Sequence, residues 1–417
     1  MSDPRSWCHT PSVLMLDLTP DSSNFIIKEY DEPTIPEQWD TPAGEETPDM
    51  KSALEQGRTS ITSLEKGSWT SRTYREAVLQ AIHTVVPYDA YCFTTVDPQT
   101  LLSTGAVTED GIEAIHDRLF INEYTEDDVH KYADLIRSNK PTALLQASIH
   151  DMPERSLRYR SILQPAGFGD ELRAVLICDE RCWGYLTLYR KADQPFFSEE
   201  EGQWIEEWTT SIARMLKRTS LSLIDEIKQG SPADPGLIMI TDTFQLLSSN
   251  ASAQYWLTQL QRLESVGPDI LPRPVRAVSS HLLSQTLTSA VSSELSAKSP
   301  SKVCIQLLDG RYLVLHASRM QQMIGPNQIA VRLEQAMPRD LLSLLAESHG
   351  LSVRERELLG YVLRSYSSKE IAAVMNISVY TVQDHLKSIF AKTSVYSRRE
   401  LIWYFVSRFQ LNDDRAV

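Results

Sequence analysis

Gln383, Asp384 and Lys387 lie within one short stretch of the sequence and offer three different kinds of hydrogen-bonding group. Lys387 only donates, an ionised Asp384 only accepts, and the amide of Gln383 does both. Such a set matches the donors and acceptors on base-pair edges in the major groove of DNA. The same residues would also suit an ordinary solvated helix face, so their function depends on the elements that position them.

The stretch that carries these three residues has the apolar spacing of a helix packed on a core. Its apolar positions follow the order i, i+4, i+7, i+8, which makes one stripe along a helix. They are Val382, Leu386, Ile389 and Phe390. The three polar side chains are therefore expected to point outward. Ser378, just before the stretch, is expected to cap the first turn of this helix.

A shorter helix is predicted immediately upstream. Ser367 and Glu370 have the spacing of a capping box, in which each side chain accepts from the other residue's backbone amide. Only Asn376 and Ile377 separate this helix from Ser378, so the two helices must turn sharply and share one small core. The spacing predicts a helix-turn-helix.

Two more capping boxes bracket this pair, Ser352 with Glu355 and Ser397 with Glu400, and predict four short helices in all. Residues 351–401 resemble the C-terminal DNA-binding domain of the LuxR family of bacterial transcriptional regulators. The matching pieces are Arg354-Glu355-Arg356-Glu357, Lys369-Glu370-Ile371-Ala372, Thr381-Val382, His385-Leu386 and Ser397-Arg398. The sequence departs from the family at Ser365, where glycine is usual, and at Thr393-Ser394, where Leu-Gly is usual.

The resemblance implies a double-stranded DNA partner, with the second helix of the motif in the major groove. It assigns base reading to Gln383, Asp384 and Lys387. It makes four further residues candidates for phosphate contacts or for holding the helices together: Thr381, His385, Lys369 and Arg398. By the same resemblance the last helix is the contact of a homodimer, through Leu401, Ile402, Phe405 and Phe409, which are too many apolar residues for one small core.

Charge is distributed unevenly along the 417 residues. The formal net charge is −14, yet residues 338–417 carry 11 Lys and Arg against 9 Asp and Glu, which is +2 and leaves −16 for the rest. Only residues 338–417 have the positive net charge expected of a segment that binds a polyanion such as DNA. Because this charge is weak, we expect tighter binding as a dimer. Residues 1–66 combine many prolines with an acidic excess and are predicted to be a disordered tail.

The middle of the chain predicts two α+β domains. Residues 67–220 contain a strand pair with a turn at Asp179 to Arg181 and a capped helix, and resemble a GAF domain, a common small-molecule sensor. Residues 230–335 read as strand, turn, strand, helix and then a hairpin at Asp309-Gly310, and resemble a PAS domain. The predicted fold is multidomain α+β, with GAF-like and PAS-like sensor domains followed by an all-α four-helix domain at 338–417.

Several function classes lack support in the sequence. It contains neither GxxxxGK[ST] nor HExxH, and the five cysteines are scattered, so we expect no nucleotide-hydrolysing, catalytic or metal site. Trp183, Tyr185 and Tyr189 alternate on one strand and suit either a core or a ligand pocket. No cofactor is indicated. We expect a cytoplasmic, non-membrane regulator with an effector in one sensor domain and RNA polymerase as a further partner. The alternative is a signalling adaptor whose C-terminal helices only dimerise.

Overall fold

The described part of the chain holds two antiparallel sheets with their helices, followed by a group of helices. The computed structural model describes residues 48–138, 140–150, 152–220, 232, 234–291, 301–320 and 328–410. The mixed α+β fold class with a C-terminal helical part is confirmed. Residues 1–47, most of the predicted tail, lie outside the described residues.

The first sheet region covers residues 48–220. Its helices are α1 (Pro48–Leu64), α2 (Ser71–His83), α3 (Asp110–Glu113), α4 (His116–Thr125), α5 (Tyr132–Arg137), α6 (Leu145–Ile149) and α7 (Glu199–Thr219). Its strands are β1 (Ala90–Val96), β2 (Ser103–Thr108), β3 (Thr142–Leu144), β4 (Phe168–Cys178) and β5 (Arg181–Lys191). They form one five-stranded sheet in the order β2-β1-β5-β4-β3.

The predicted strand pair and closing helix of this region are confirmed. Asp179 and Glu180 both have positive φ, 50° and 59°, as a tight two-residue hairpin requires. Ser198 caps α7 by accepting from Glu201 N, and Glu201 reaches back to complete the capping box. These signals are local, which is why the sequence alone reveals them.

Helix α1 corrects the predicted tail, because residues 48–64 are helical rather than disordered. Ile61 and Leu64 are buried in the same hydrophobic cluster as Trp204 of α7. Arg58 also pairs with Glu207 at 3.1 Å on the surface. The apolar face of α1 is short and interrupted, so its helical order depends on this tertiary packing rather than on a strong local pattern.

A bulge in β5 corrects the expectation that Trp183, Tyr185 and Tyr189 share one face. Gly184 pairs with Leu176 while Cys182 pairs with Ile177, so Trp183 is the extra residue in the register. An extra residue reverses the alternation of side chains along a strand. Trp183 therefore packs in the cluster under α2 and α7, whereas Tyr185 and Tyr189 belong to clusters elsewhere in the region.

The second sheet region covers residues 234–335. Its elements are β6 (Gly236–Thr241), β7 (Leu246–Ser249), α8 (Ala251–Glu264), α9 (Arg273–Val291), β8 (Lys302–Gln306), β9 (Tyr312–Met320) and β10 (Gln328–Gln335). The sheet order is β7-β6-β10-β9-β8. Asn250 caps α8 by accepting from Ala253 N. At the hairpin between β8 and β9 only Gly310 has positive φ, 83°, so the turn is longer than the predicted Asp309-Gly310 turn.

The helical region holds five helices in the described residues: α10 (Pro338–Ser348), α11 (Val353–Leu363), α12 (Ser368–Met375), α13 (Val379–Thr393) and α14 (Arg398–Gln410). The last four are the predicted ones. Helix α10 precedes them, and Leu341 and Leu345 share a hydrophobic cluster with Tyr312 and Val314 of β9. Lys302 of β8 also pairs with Asp340 at 2.6 Å. The helical region is thus joined to the second sheet through α10.

Ser365 and Ser394 both adopt left-handed backbone conformations, with φ of 65° and 55°. These are the positions at which the resemblance led us to expect glycine. A non-glycine residue there costs about 1–2 kcal/mol. We expect Ser394→Gly to slow amide hydrogen exchange in α13 and α14 about fivefold, equivalent to about 1 kcal/mol. Ser365→Gly should act in the same direction.

Ser368→Gly is the control for these variants, because Ser368 begins α12 with an ordinary helical backbone. Glycine should weaken that helix rather than strengthen it. Faster exchange in Ser394→Gly than in the wild type would contradict the strain argument.

Candidate nucleic-acid interface

The α12–turn–α13 unit is built by local hydrogen bonds at each helix end. Ser367 and Glu370 form the predicted capping box at the start of α12. Asn376 ends α12 in the left-handed conformation, with φ of 53°, and reverses the chain. Ser378 then caps α13 by accepting from Thr381 N at 3.0 Å. These contacts hold α13 at a fixed angle to α12, which is the helix-turn-helix predicted from the sequence.

One side of α13 is buried and the other is open to solvent. Val382, Leu386 and Ile389 pack in the hydrophobic core of the helical region. Tyr380, Gln383, Asp384 and Lys387 are exposed at positions i, i+3, i+4 and i+7. We call these four residues the recognition stripe.

Tyr380 was not among the residues predicted from the sequence. Tyr380 is 81% exposed and lies at the first position of the stripe. Its position three residues before Gln383 was the available signal, since residues at that spacing share a helix face.

Asp384 and Lys387 interact with each other on this stripe. Lys387 Nζ lies 3.4 Å from Asp384 Oδ1, and both side chains are 76% exposed. An exposed pair of this kind contributes little to stability and is readily exchanged for other partners. Lys387, the charged donor of the stripe, is therefore available to another acceptor.

Glu355 supports α13 from beneath. Its carboxylate completes the capping box of α11 and also accepts from Ser388 Oγ at 2.6 Å and Lys392 Nζ at 2.7 Å, both on α13. Burial alone would raise the pKa of Glu355, but the hydrogen bonds from Lys392, Ser388 and the Ser352 backbone outweigh it and lower the pKa to about 2. This buried carboxylate fixes α13 to α11.

The remaining predicted contact residues occupy different settings. Thr381 lies in the first turn of α13, where its hydroxyl is 2.9 Å from that of Ser378. Lys369 is exposed on α12, and His385 is half-buried on α13. Arg398 donates to the backbone oxygen of Tyr366 and so fastens the start of α14 to the loop before α12. Arg398 thus has the helix-holding contact that was one of its two predicted roles.

The structure contradicts half of the predicted dimer contact. Leu401 is fully buried and Phe405 is 2% exposed, both within the core of their own chain. The helical region has a larger core than expected because α10 adds Leu341 and Leu345 to it. Ile402 is half-buried, and the side chain of Phe409 lies outside the described residues. On the same helix Trp403 is 68% exposed, a residue that the apolar pattern did not single out.

The described residues contain no helix with the length and apolar character needed to cross a bilayer. They also contain no group of three or more His, Cys, Asp or Glu side chains placed to hold a metal ion.

Comparison with known proteins gives a family match at the C-terminus. Residues 349–405 match the model of the bacterial regulatory proteins of the luxR family. The monoamine regulon transcriptional regulator of Klebsiella aerogenes is 48% identical over 52 residues, which is 12% of this chain and 23% of that protein. The chain therefore spans about a quarter of the length of that relative.

Solved structures give much weaker likenesses. A GAF domain/HD domain protein from Geobacter sulfurreducens aligns at 13% identity, covering 39% of this chain and 100% of the other, with a TM-score of 0.29. Escherichia coli SdiA aligns at 11% identity, covering 86% and 98%, also with a TM-score of 0.29. Scores of this size do not establish a common fold.

The family match, the capped helix pair and the exposed stripe on α13 fall in the same segment of the chain. Residues 349–405 form a helix-turn-helix DNA-binding domain of the luxR family of bacterial regulatory proteins.

Proposed function

We propose that this chain is a transcriptional regulator that places α13 in the major groove of double-stranded DNA as a homodimer, under the control of its two sheet regions. The observation that carries the proposal is the recognition stripe, an outward polar face on a helix that is capped and fixed within a luxR-family segment. Base edges specify a site, and phosphates position the protein on it. Gln383, Asp384 and Lys387 are assigned to bases, and Lys369 to phosphate.

A single copy is expected to bind DNA weakly. One recognition helix reads only a few base pairs, and residues 338–417 carry a net charge of only +2. Two copies related by a two-fold axis would read half-sites about one helical turn apart. The exposed side of α14, with Ile402 and Trp403, replaces the buried Leu401 and Phe405 as the proposed dimer contact.

We expect Trp403→Ala to raise the dimer dissociation constant at least about tenfold, because tryptophan is the residue most enriched among energetically dominant interface contacts. Sedimentation velocity over a concentration series measures this constant. Tyr396→Ala removes an aromatic side chain that is 89% exposed but lies before α14, and serves as the matched control. Equal dissociation constants for both variants and the wild type would exclude this face.

Control by the sheet regions is supported by the position of α10. Glu347, at its end, accepts from Arg356 of the DNA-binding domain and lies 3.4 Å from Arg181 of the β4–β5 turn. Near its start, Asp340 pairs with Lys302 of the second sheet region. Both sheet regions thus contact the helix that precedes the DNA-binding domain. A change in either region would alter the placement of α13, and RNA polymerase is the proposed partner of the DNA-bound form.

DNA retention measured against salt concentration tests this function. A phosphate-binding protein loses affinity linearly on logarithmic axes, with a slope of about −0.9 for each phosphate neutralised. We expect retention on duplex DNA with this steep dependence, and an enriched two-fold site in genome-wide mapping of bound fragments. A signalling adaptor would show neither result, so their absence would favour that alternative.

A further inference from the structure

A cavity of about 150 Å³ lies where the two sheet regions and α10 meet. The first sheet region contributes Arg75 and Trp183 to its wall, the second contributes Cys304 and Tyr312, and α10 contributes Leu344. An apolar cavity of comparable size in another protein accommodates a molecule as large as benzene. The space therefore suits a small organic ligand.

Arg75 is a buried cation in this wall that forms no direct ion pair among the described residues. Its side chain is 3% exposed and donates only to backbone oxygens, from Nε to Ser71 at 3.1 Å and from Nη1 to Phe93 at 2.9 Å and Gly105 at 3.4 Å. Its other terminal nitrogen, Nη2, has no acceptor among the described residues. Burial lowers the pKa of Arg75 to about 10 although the charge of Glu264 acts to raise it, so the group remains charged at neutral pH. Buried charges are normally paired directly, whereas no described carboxylate is in direct contact with Arg75.

Trp183 contributes its ring to the same wall. It is 2% exposed, and its indole Nε1 is fully buried with no hydrogen-bond acceptor among the described residues. The bulge in β5 places its ring against the cavity rather than beside Tyr185. Because Nε1 is closed off from the cavity, a ligand there would contact the ring and not the N–H.

The rest of the wall includes several apolar side chains and one acidic side chain. The apolar side chains are Val96, Leu216, Leu263, Leu307, Leu308 and Leu344. Asp97 is the acidic residue of the wall, and its Oδ1 already accepts from the backbone of Gln99 at 2.8 Å and Thr100 at 3.3 Å. Arg72, also in the wall, pairs with Glu76 at 2.8 Å. Arg75 is therefore the cation of this wall that has no direct ion pair among the described residues.

We propose that this cavity binds a small organic carboxylate, whose oxygen accepts from Arg75 Nη2 while its short apolar or aromatic body packs on the Trp183 ring and the leucine side chains. The regulatory meaning of the site depends on the function proposed above. A ligand here would contact both sheet regions and Leu344 at once, and would fix α10 relative to the sheets. Binding would thereby fix the position of the DNA-binding domain relative to the two sheet regions.

Titration of the full-length protein with acetate, butyrate and benzoate, in the absence of DNA, tests the site. We expect at least one of these carboxylates to bind saturably by calorimetry and to raise the thermal unfolding midpoint. For benzoate the matched neutral probe is benzamide, which should bind at least tenfold more weakly because it lacks the charge that Arg75 would pair. Failure of all three carboxylates to saturate, or equal binding of benzoate and benzamide, overturns the proposal.

Variants locate the binding. Arg75→Met keeps an unbranched side chain and removes the guanidinium, so carboxylate affinity should fall at least fivefold. Arg72→Met is the matched control, since Arg72 also lies in the cavity wall but pairs with Glu76. Leu344→Phe, which fills the cavity from α10, should also weaken binding and serves if Arg75→Met does not fold. Wild-type affinity in Arg75→Met and Leu344→Phe would place any bound anion elsewhere. Because no DNA is present, this result is independent of whether the chain binds DNA.

Discussion

Glu355→Gln is expected to raise the amide exchange rate of α13 about 30- to 100-fold at neutral pH, equivalent to a loss of about 2–3 kcal/mol. The carboxylate joins three elements, because it caps α11 and accepts from Ser388 and Lys392 of α13. Glutamine retains one acceptor oxygen but removes the charge that Lys392 pairs with. The loss should therefore appear in α13 itself, where exchange measured by mass spectrometry resolves it.

The same interaction predicts a pH dependence with a definite sign. Burial opposes ionisation of Glu355, but its hydrogen bonds prevail and lower the pKa from 4.5 to about 2. A folded-state pKa below the unfolded value means that the carboxylate contributes its full stability above about pH 4.5 and loses it as the pH falls toward 2. Below that range wild type and Glu355→Gln should converge.

Glu357→Gln provides the matched control on the same helix. Glu357 pairs with Arg354 at 2.8 Å, but both side chains are well exposed, and such surface pairs contribute at most about 1 kcal/mol. Its exchange pattern should resemble that of the wild type. If the exchange pattern of Glu355→Gln also matched that of the wild type, α13 would be held by its apolar face alone.

The features that the sequence predicted are those with local causes. The serine caps at Ser352, Ser367 and Ser378 and the two-residue turn at Asp179 need only their immediate neighbours, and all are present as expected. The outward direction of the recognition stripe follows from helical periodicity in the same way. The fourth predicted box is half formed, because Ser397 accepts from Glu400 N while the carboxylate of Glu400 accepts from Tyr396 N.

The features that the sequence did not predict depend on distant packing. Leu401 and Phe405 were assigned to a dimer because four helices offered too small a core, but α10 enlarges that core. Helix α1 is ordered by contacts with α7, about 150 residues away in the chain. The bulge at Trp183 turns this side chain to the other face of the sheet, and its cause is the pairing of β5 with β4. None of these causes lies within a window of neighbouring residues.

Asp384→Ala is expected to leave binding to scrambled DNA unchanged or stronger while reducing preference for the cognate site by about 1–3 kcal/mol. An acidic side chain facing DNA repels phosphate and adds no nonspecific affinity, so we assign it to discrimination, through a cytosine amino group that it can accept from. The contact of 3.4 Å between Asp384 and Lys387 strengthens the first half of the prediction. Removing Asp384 frees the ammonium group for any phosphate it can reach.

Lys387→Ala should weaken the cognate complex, and the salt dependence identifies its partner. If Lys387 contacts a base, the loss should be confined to the cognate site, whereas a phosphate contact should give similar losses on all sequences and a salt slope shallower by about one. The site obtained from genome-wide mapping and a scrambled duplex are titrated with wild type and both variants at several salt concentrations. Glu357→Ala, which breaks an i,i+3 pair with Arg354 away from the recognition stripe, is the matched control and should change neither affinity. A cognate-to-scrambled affinity ratio in Asp384→Ala equal to that of the wild type would show that this face does not read bases through Asp384.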